Sequence, residues 1–153
     1  MKAHAAQIAG LQKQRRELMA AVRGYEVAGF FWWQGDRDSR SPALSSRYEQ
    51  NLVHLIRQLR IEFDAPAAKF VCASLGQTEK GDAKANGAQI LDAILAVDGT
   101  SKKYPEFKGN VAGVYTHPLI KGGSSGGHYD GNAETYMNVG QAMGEAMVRL
   151  GLK

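Results

Sequence analysis

Residues 27–38 read Val-Ala-Gly-Phe-Phe-Trp-Trp-Gln-Gly-Asp-Arg-Asp. The first seven carry no charge, and they meet Gln34, Gly35, Asp36, Arg37 and Asp38 without a spacer. A short uncharged run of this kind suits a strand buried on both faces, as in a parallel sheet covered by helices. In open α/β sheets the loops at the carboxyl ends of the strands build the ligand site. The amide, the carboxylates and the guanidinium that follow Trp33 are therefore candidates for chemistry. Their plainer alternative is a solvated turn closed by Gly35.

Working outward, residues 3–23 contain helix formers and no proline, with Ile8, Leu11, Leu18, Ala21 and Val22 on one face and Gly24 as a possible cap. Downstream, residues 37–43 read as a loop. A second helix starts at Ser45 or Ser46, with Glu49 in capping-box position to Ser46. Its apolar stripe is Leu52, Leu55, Ile56 and Leu59. Pro66 separates it from a second buried strand, residues 69–75, Lys-Phe-Val-Cys-Ala-Ser-Leu. A third helix is expected over residues 83–97 with Gly87 inside it. A third strand follows over residues 110–116, and a last helix over residues 132–150 presents Tyr136, Gly140, Met143, Met147 and Leu150 on one face. There Gly140 and Gly144 would let the helix approach the sheet closely. Strand and helix alternate with helix-length connections, which predicts α/β architecture with parallel pairing and right-handed crossovers. All three strands then deliver their polar ends to one edge.

The 153 residues suffice for one domain over the whole chain, 1–153, and need no second. The net charge of +4 is dispersed, with only pairs such as Arg15-Arg16 and Lys102-Lys103. The absence of a clustered basic patch argues against nucleic acid as a partner. One cysteine, Cys72, permits neither an internal disulfide nor a cysteine metal cluster, and its apolar neighbours suggest a packed thiol. No stretch approaches the roughly 20 apolar residues of a membrane span. The first twenty residues lack the apolar centre of a signal peptide, so the localisation is unknown from these residues.

Residues 122–127, Gly-Gly-Ser-Ser-Gly-Gly, precede a helix, but no Gly-Lys-Ser or Gly-Lys-Thr follows, so a nucleotide cofactor is not expected. His117, His128 and Asp130 lack the pair spacing of zinc motifs, and no metal is expected either. His128 follows a glycine-rich loop and stands just before a helix, which puts it at the carboxyl edge of the sheet. An imidazole titrates near neutrality and can pass a proton, so it is a candidate general base. The alternative is a loop histidine bonded to a neighbouring carbonyl.

Trp32-Trp33-Gln34-Gly35-Asp36, then the helix from Tyr48 through Arg60, then His128-Tyr129 before a helix with Val139-Gly140, together resemble the sialate O-acetylesterase and carbohydrate acetylesterase branch of the SGNH hydrolases. The resemblance implies a flavodoxin-like three-layer α/β/α fold and serine-dependent hydrolysis of an O-acetyl ester on a carbohydrate partner, without cofactor. It implies Gln34 as an oxyanion donor and His128 as the general base. Asp36 takes the place where the family usually has glutamate, and Trp33 and Gly35 are the implied substrate-binding positions. Either Trp32 or Trp33 can stack on a sugar ring.

Two departures follow from the same resemblance. No Gly-Gln-Ser or Gly-Asp-Ser motif occurs, so the expected nucleophile is absent, and Ser125 stands where the family's triad acid precedes the histidine by three residues. A serine can bond an imidazole but cannot stabilise imidazolium as a carboxylate does, which leaves Asp130 or Asp36 as substitutes. The expectation is the carboxyl-terminal portion of a hydrolase domain, nearly inert alone. Its unpaired sheet edge would favour self-association. The alternative is a non-catalytic glycan- or partner-binding domain of the same fold.

Overall fold

The computed structural model describes residues 7, 10, 11, 13, 14, 17, 18, 24, 26–123 and 127–151. The helix expected over residues 3–23 lies largely outside the described residues, as do Ser124 and Ser125. Three parallel strands, β1 (Gly29–Trp33), β2 (Lys69–Ala73) and β3 (Val111–Val114), lie in the order β1-β2-β3. In register, Phe30 faces Phe70, which faces Val111, and Trp33 faces Ala73, which faces Val114. All three carboxyl ends therefore share one rim, as the alternation of strands and helices predicted, but β1, at the edge of the sheet, is not buried on both faces: Phe31 is 55% exposed.

The helices are α1 (Asp36–Ser39), α2 (Pro42–Glu62), α3 (Ala88–Val97) and α4 (Ala133–Arg149). Side chains alternate across the sheet, and each face has its own apolar layer. On one side Phe70 and Cys72 meet Leu52 and Ile56 of α2 and Ile90 and Ile94 of α3. On the other, Val71, Ala73 and Val114 meet Val139, Met143, Ala146 and Met147 of α4. The result is the three-layer α/β/α arrangement. Cys72 is fully buried; burial pushes its thiol up to about 12, which makes it a packing group.

Several local expectations are corrected. The loop expected after Arg37 contains the helical turn α1, and α2 begins at Pro42 with Ser41 as N-cap. Proline is pre-organised for the first helical position, where its missing N–H costs nothing. Ser46 is thus inside the helix, its hydroxyl donating back to the Ala43 carbonyl at 3.4 Å. Gly87 is not within α3 but caps it, with φ +97, which only glycine adopts without strain. The buried face of α4 is Thr135, Val139, Met143, Ala146 and Met147, while Tyr136 is exposed. A Cβ at Gly140 or Gly144 would meet nothing within 4 Å, so this pair does not serve close packing.

Glu49, read as a capping residue, instead joins α2 to the loop before β3. It pairs with Lys103 at 2.7 Å and accepts from the Tyr104 hydroxyl. Burial raises its carboxyl, but the hydrogen bonds from Lys103 and Tyr104 outweigh this and hold it below the usual value of 4.5. A depressed folded pKa gives stability above the unfolded value that is lost as pH falls through the folded one. Acid unfolding of Glu49→Gln should therefore lack part of the wild-type decline below that value. Superimposable profiles of stability against pH would show the carboxylate to be unlinked.

Candidate functional site

At the rim, β1 passes directly into the polar residues. Gly35 is buried with φ +138, and a Cβ there would stand 2.7 Å from Ile90 Cγ2, so the turn requires glycine. Its carbonyl accepts the Ser39 N–H at 2.8 Å and so starts α1. The Gln34 carbonyl accepts the Tyr48 hydroxyl at 2.8 Å, and burial pushes that hydroxyl up to about 12. The Gln34 side-chain amide donates to Asp38 Oδ2 at 2.6 Å, a charge-assisted bond across one helical turn. Asp36 turns elsewhere: it pairs with Arg40 at 2.7 Å and accepts from Gln77 Nε2 at 3.4 Å.

β2 and β3 continue into a buried polar lock. Ser74 N–H donates to the Val114 carbonyl, Thr116 N–H to Ser74 Oγ at 3.0 Å, and Thr116 Oγ1 to the Ser74 carbonyl at 2.8 Å. That carbonyl also accepts the Trp33 indole N–H at 3.0 Å. Both Ser74 and Thr116 are 0% exposed. Ser74 is thereby a strand-joining residue whose hydroxyl no substrate reaches.

Tyr129 closes the rim. Its ring stacks on Trp33 at 5.7 Å and 13°, and Tyr136 meets both rings edge-on. Its hydroxyl accepts the Gly76 N–H at 3.0 Å and donates to Gln77 Oε1 at 3.3 Å. Burial is the main cause of the rise in its pKa. The Gly76 carbonyl is bonded to His117 Nδ1 at 2.8 Å. Since a carbonyl only accepts, Nδ1 carries the proton in that bond, and in the neutral ring Nε2 is then left as an acceptor. The ends of all three strands are thus joined through Tyr129, Gly76 and His117.

His128 sits one residue before this anchor, exposed, with its carbonyl accepting the Tyr136 hydroxyl at 3.0 Å. His128, Tyr129 and Asp130 all have left-handed backbones, with φ of 58°, 54° and 54°. For residues with a Cβ this conformation costs roughly 1–2 kcal/mol each. The Tyr129 contacts offset that cost and keep the turn at the rim. Tyr129→Phe, which keeps the stack but loses both hydroxyl bonds, should lower stability by about 1 kcal/mol. It should also speed hydrogen exchange at the Gly76 amide. Unchanged exchange at Gly76 would mean that the hydroxyl anchors nothing.

Gln34 and His128 therefore stand at the same edge of the sheet, yet the Gln34 amide is turned toward Asp38. Among the described residues no hydrogen bond joins Gln34, Asp36 and His128, and no carboxylate bonds the His128 imidazole. Nor does any group of three His, Cys, Asp or Glu side chains among them lie together as metal ligands would. Trp33, an implied substrate contact, has its ring against Tyr129 and Tyr136. Trp32 instead lines a rim cavity of about 220 Å³. Sequence reasoning named the Asp38 carboxylate as a candidate but missed the rim-joining roles of Tyr129 and His117. Their roles come from contacts between loops 41 to 53 residues apart in the chain, which leave no local pattern.

A family model described as carbohydrate esterase, sialic acid-specific acetylesterase, matches residues 11–149. No curated protein and no solved structure matches the chain.

Proposed function

The chain belongs to the carbohydrate esterase family of sialic acid-specific acetylesterases, and from that membership we propose that it is the part of an SGNH-type serine hydrolase that supplies the oxyanion donor and the general base for removing O-acetyl groups from sugars. Gln34 is the donor and His128 the base. The observation that carries the assignment is the stack of Tyr129, next to His128, on Trp33, next to Gln34. In the reaction a serine oxygen attacks the acyl carbon while the imidazole takes its proton. The sugar leaves with that proton, and water, activated by the same imidazole, releases acetate. A second N–H of the Gln34 amide remains free to meet the developing oxyanion after Asp38 has taken the first, and one such donor contributes roughly 3 kcal/mol.

The nucleophile is a serine outside these 153 residues. Asp36, engaged with Arg40 and Gln77, is better suited to holding the rim than to orienting His128. The edge of β1 away from β2 carries no strand among the described residues, and Phe31 on it is 55% exposed. A segment bearing the serine would pair there; without it, that edge favours self-association.

A chain extended by the in-frame coding sequence upstream, if that contains Gly-Gln-Ser, should hydrolyse an aryl acetate. His128→Ala should then lower kcat by at least about a thousandfold. Turnover indifferent to His128 would end the proposal. The second reading, a glycan-binding domain without catalysis, draws on the missing carboxylate beside His128. It prevails if the extended chain binds acetylated sugar and releases no acetate.

A further inference from the structure

The Lys69 N–H donates to the Ala28 carbonyl, and the register runs on from Gly29 beside Lys69 to Trp33 beside Ala73. Bonding groups alternate in direction along a strand, so Ala28, Phe30 and Trp32 turn theirs to β2, while Gly29, Phe31 and Trp33 turn theirs outward. Among the described residues nothing bonds the backbone of these last three. Edge strands are ordinarily blunted by charge, proline, a bulge or a covering element. Residues 29–33 hold no charge and no proline, their ladder to β2 runs without a bulge, and Phe31 at the centre is exposed. On the same pleat Met147 closes over Gly29 and Tyr136 meets Trp33, so the opening lies over Phe31.

The strand is its own complement. Turned about a two-fold axis through Phe31, a second copy of β1 lies antiparallel to the first with all five residues matched. Phe31 then stands opposite Phe31, Phe30 opposite Trp32 on the other pleat, and Gly29 opposite Trp33, where the missing side chain leaves room for the indole. Directly opposed aromatic pairs stabilise a sheet, and no like charges meet. The outward residues fall on one another as hydrogen-bonded pairs, so both edges are satisfied at once. A slide of two residues either way leaves two of the five without a strand residue opposite. We propose that the outer edge of β1 is a self-pairing surface, at which two copies of this chain join antiparallel about Phe31 into one sheet of three plus three strands. Because the contact is isologous, it stops at two copies. Resting on the hydrolase reading above, the pairing also shuts the edge against the serine-bearing segment, so that a chain joined to its copy is held without a nucleophile.

Sedimentation equilibrium of the 153-residue chain should show reversible dimerisation, with the dimer fraction rising between about 10 μM and about 1 mM, the range of an interface smaller than the standard size. Amide exchange reads the edge itself: Phe30 and Trp32 should be protected at both ends of that range, and Gly29, Phe31 and Trp33 only at the upper end. Phe31→Cys should form a disulfide-linked dimer under mild oxidation, because opposed Cα atoms of a hydrogen-bonded pair stand about 5.5 Å apart, within reach of a disulfide. Lys108→Cys, exposed just before β3 at the far edge of the sheet, should not, and Cys72 is buried. Phe31→Lys sets like charges face to face at an exposed position and should abolish the dimer while leaving the circular dichroism of the fold unchanged. A monodisperse monomer at the upper concentration overturns the proposal, as does Lys108→Cys bridging as fast as Phe31→Cys, or a Phe31→Lys chain that still dimerises. If Phe31→Lys fails to fold, the exchange pattern and the Phe31→Cys bridge decide. In the chain extended upstream by the serine-bearing segment, Phe31→Cys should stay monomeric at the same concentration. A bridged dimer there overturns the exclusion and leaves the self-pairing, whereas an extended chain that stays single and hydrolyses nothing sinks the esterase reading alone.

Discussion

Mixed with a fluorophosphonate probe and an aryl acetate, the 153-residue chain should show no labelled serine and a turnover about a million-fold below that of a complete serine hydrolase, the scale of loss when a triad nucleophile is missing. The expectation rests on where each described serine hydroxyl goes. Ser39 donates to the Asp36 carbonyl, Ser45 to that of Pro42, Ser46 to that of Ala43 and Ser101 to that of Ala96. Ser41 stands at the N-cap position of α2 without a side-chain cap bond, and Ser74 is sealed against Thr116. None bonds an imidazole, the partner that would raise its nucleophilicity. Labelling at Ser124 or Ser125, the two serines outside the described residues, together with turnover would place the nucleophile within this chain and overturn the proposal that it comes from elsewhere.

The largest expected loss of stability is at the centre of the sheet. Phe70→Ala should cost about 3–5 kcal/mol and shift the urea midpoint accordingly, with the slope of the transition unchanged. Phe70 lies on the middle strand, is 1% exposed, faces Phe30 and Val111 in register and packs its ring 6.4 Å from that of Phe30. Deleting the ring opens a cavity between β2 and the α2–α3 layer that neither neighbouring strand can fill without breaking its ladder. Met137→Ala on α4, 73% exposed, is the control and should stay within about 0.5 kcal/mol. A loss at Phe70 below about 1 kcal/mol would mean that this layer collapses around the gap and is not rigidly packed.

Parallel pairing was legible because residues 29–33 and 70–73 carry no charge on either pleat; burial was legible only for β2, since Phe31 of β1 is 55% exposed. Element boundaries were less legible. Ser46 and Glu49 have capping-box spacing, but Pro42 begins the helix a turn earlier, and Glu49 finds Lys103 and Tyr104 across the fold. The apolar stripe of α4 was misplaced because Tyr136 looks like a core residue. Its hydroxyl instead bonds the His128 carbonyl, which keeps one edge of the ring at the surface.

By itself the sequence determined the α/β architecture, the shared rim and the family, because hydrophobic period and a polar break after Trp33 are local properties of the chain. Only the tertiary structure decided that Trp32 lines a rim cavity while Trp33 packs against Tyr129 and Tyr136, that the Gln34 amide is held by Asp38, and that Tyr129 knits the rim together. Those outcomes depend on which helix covers which pleat and on how distant loops meet at the rim. Such contacts are set by packing among residues far apart in the chain.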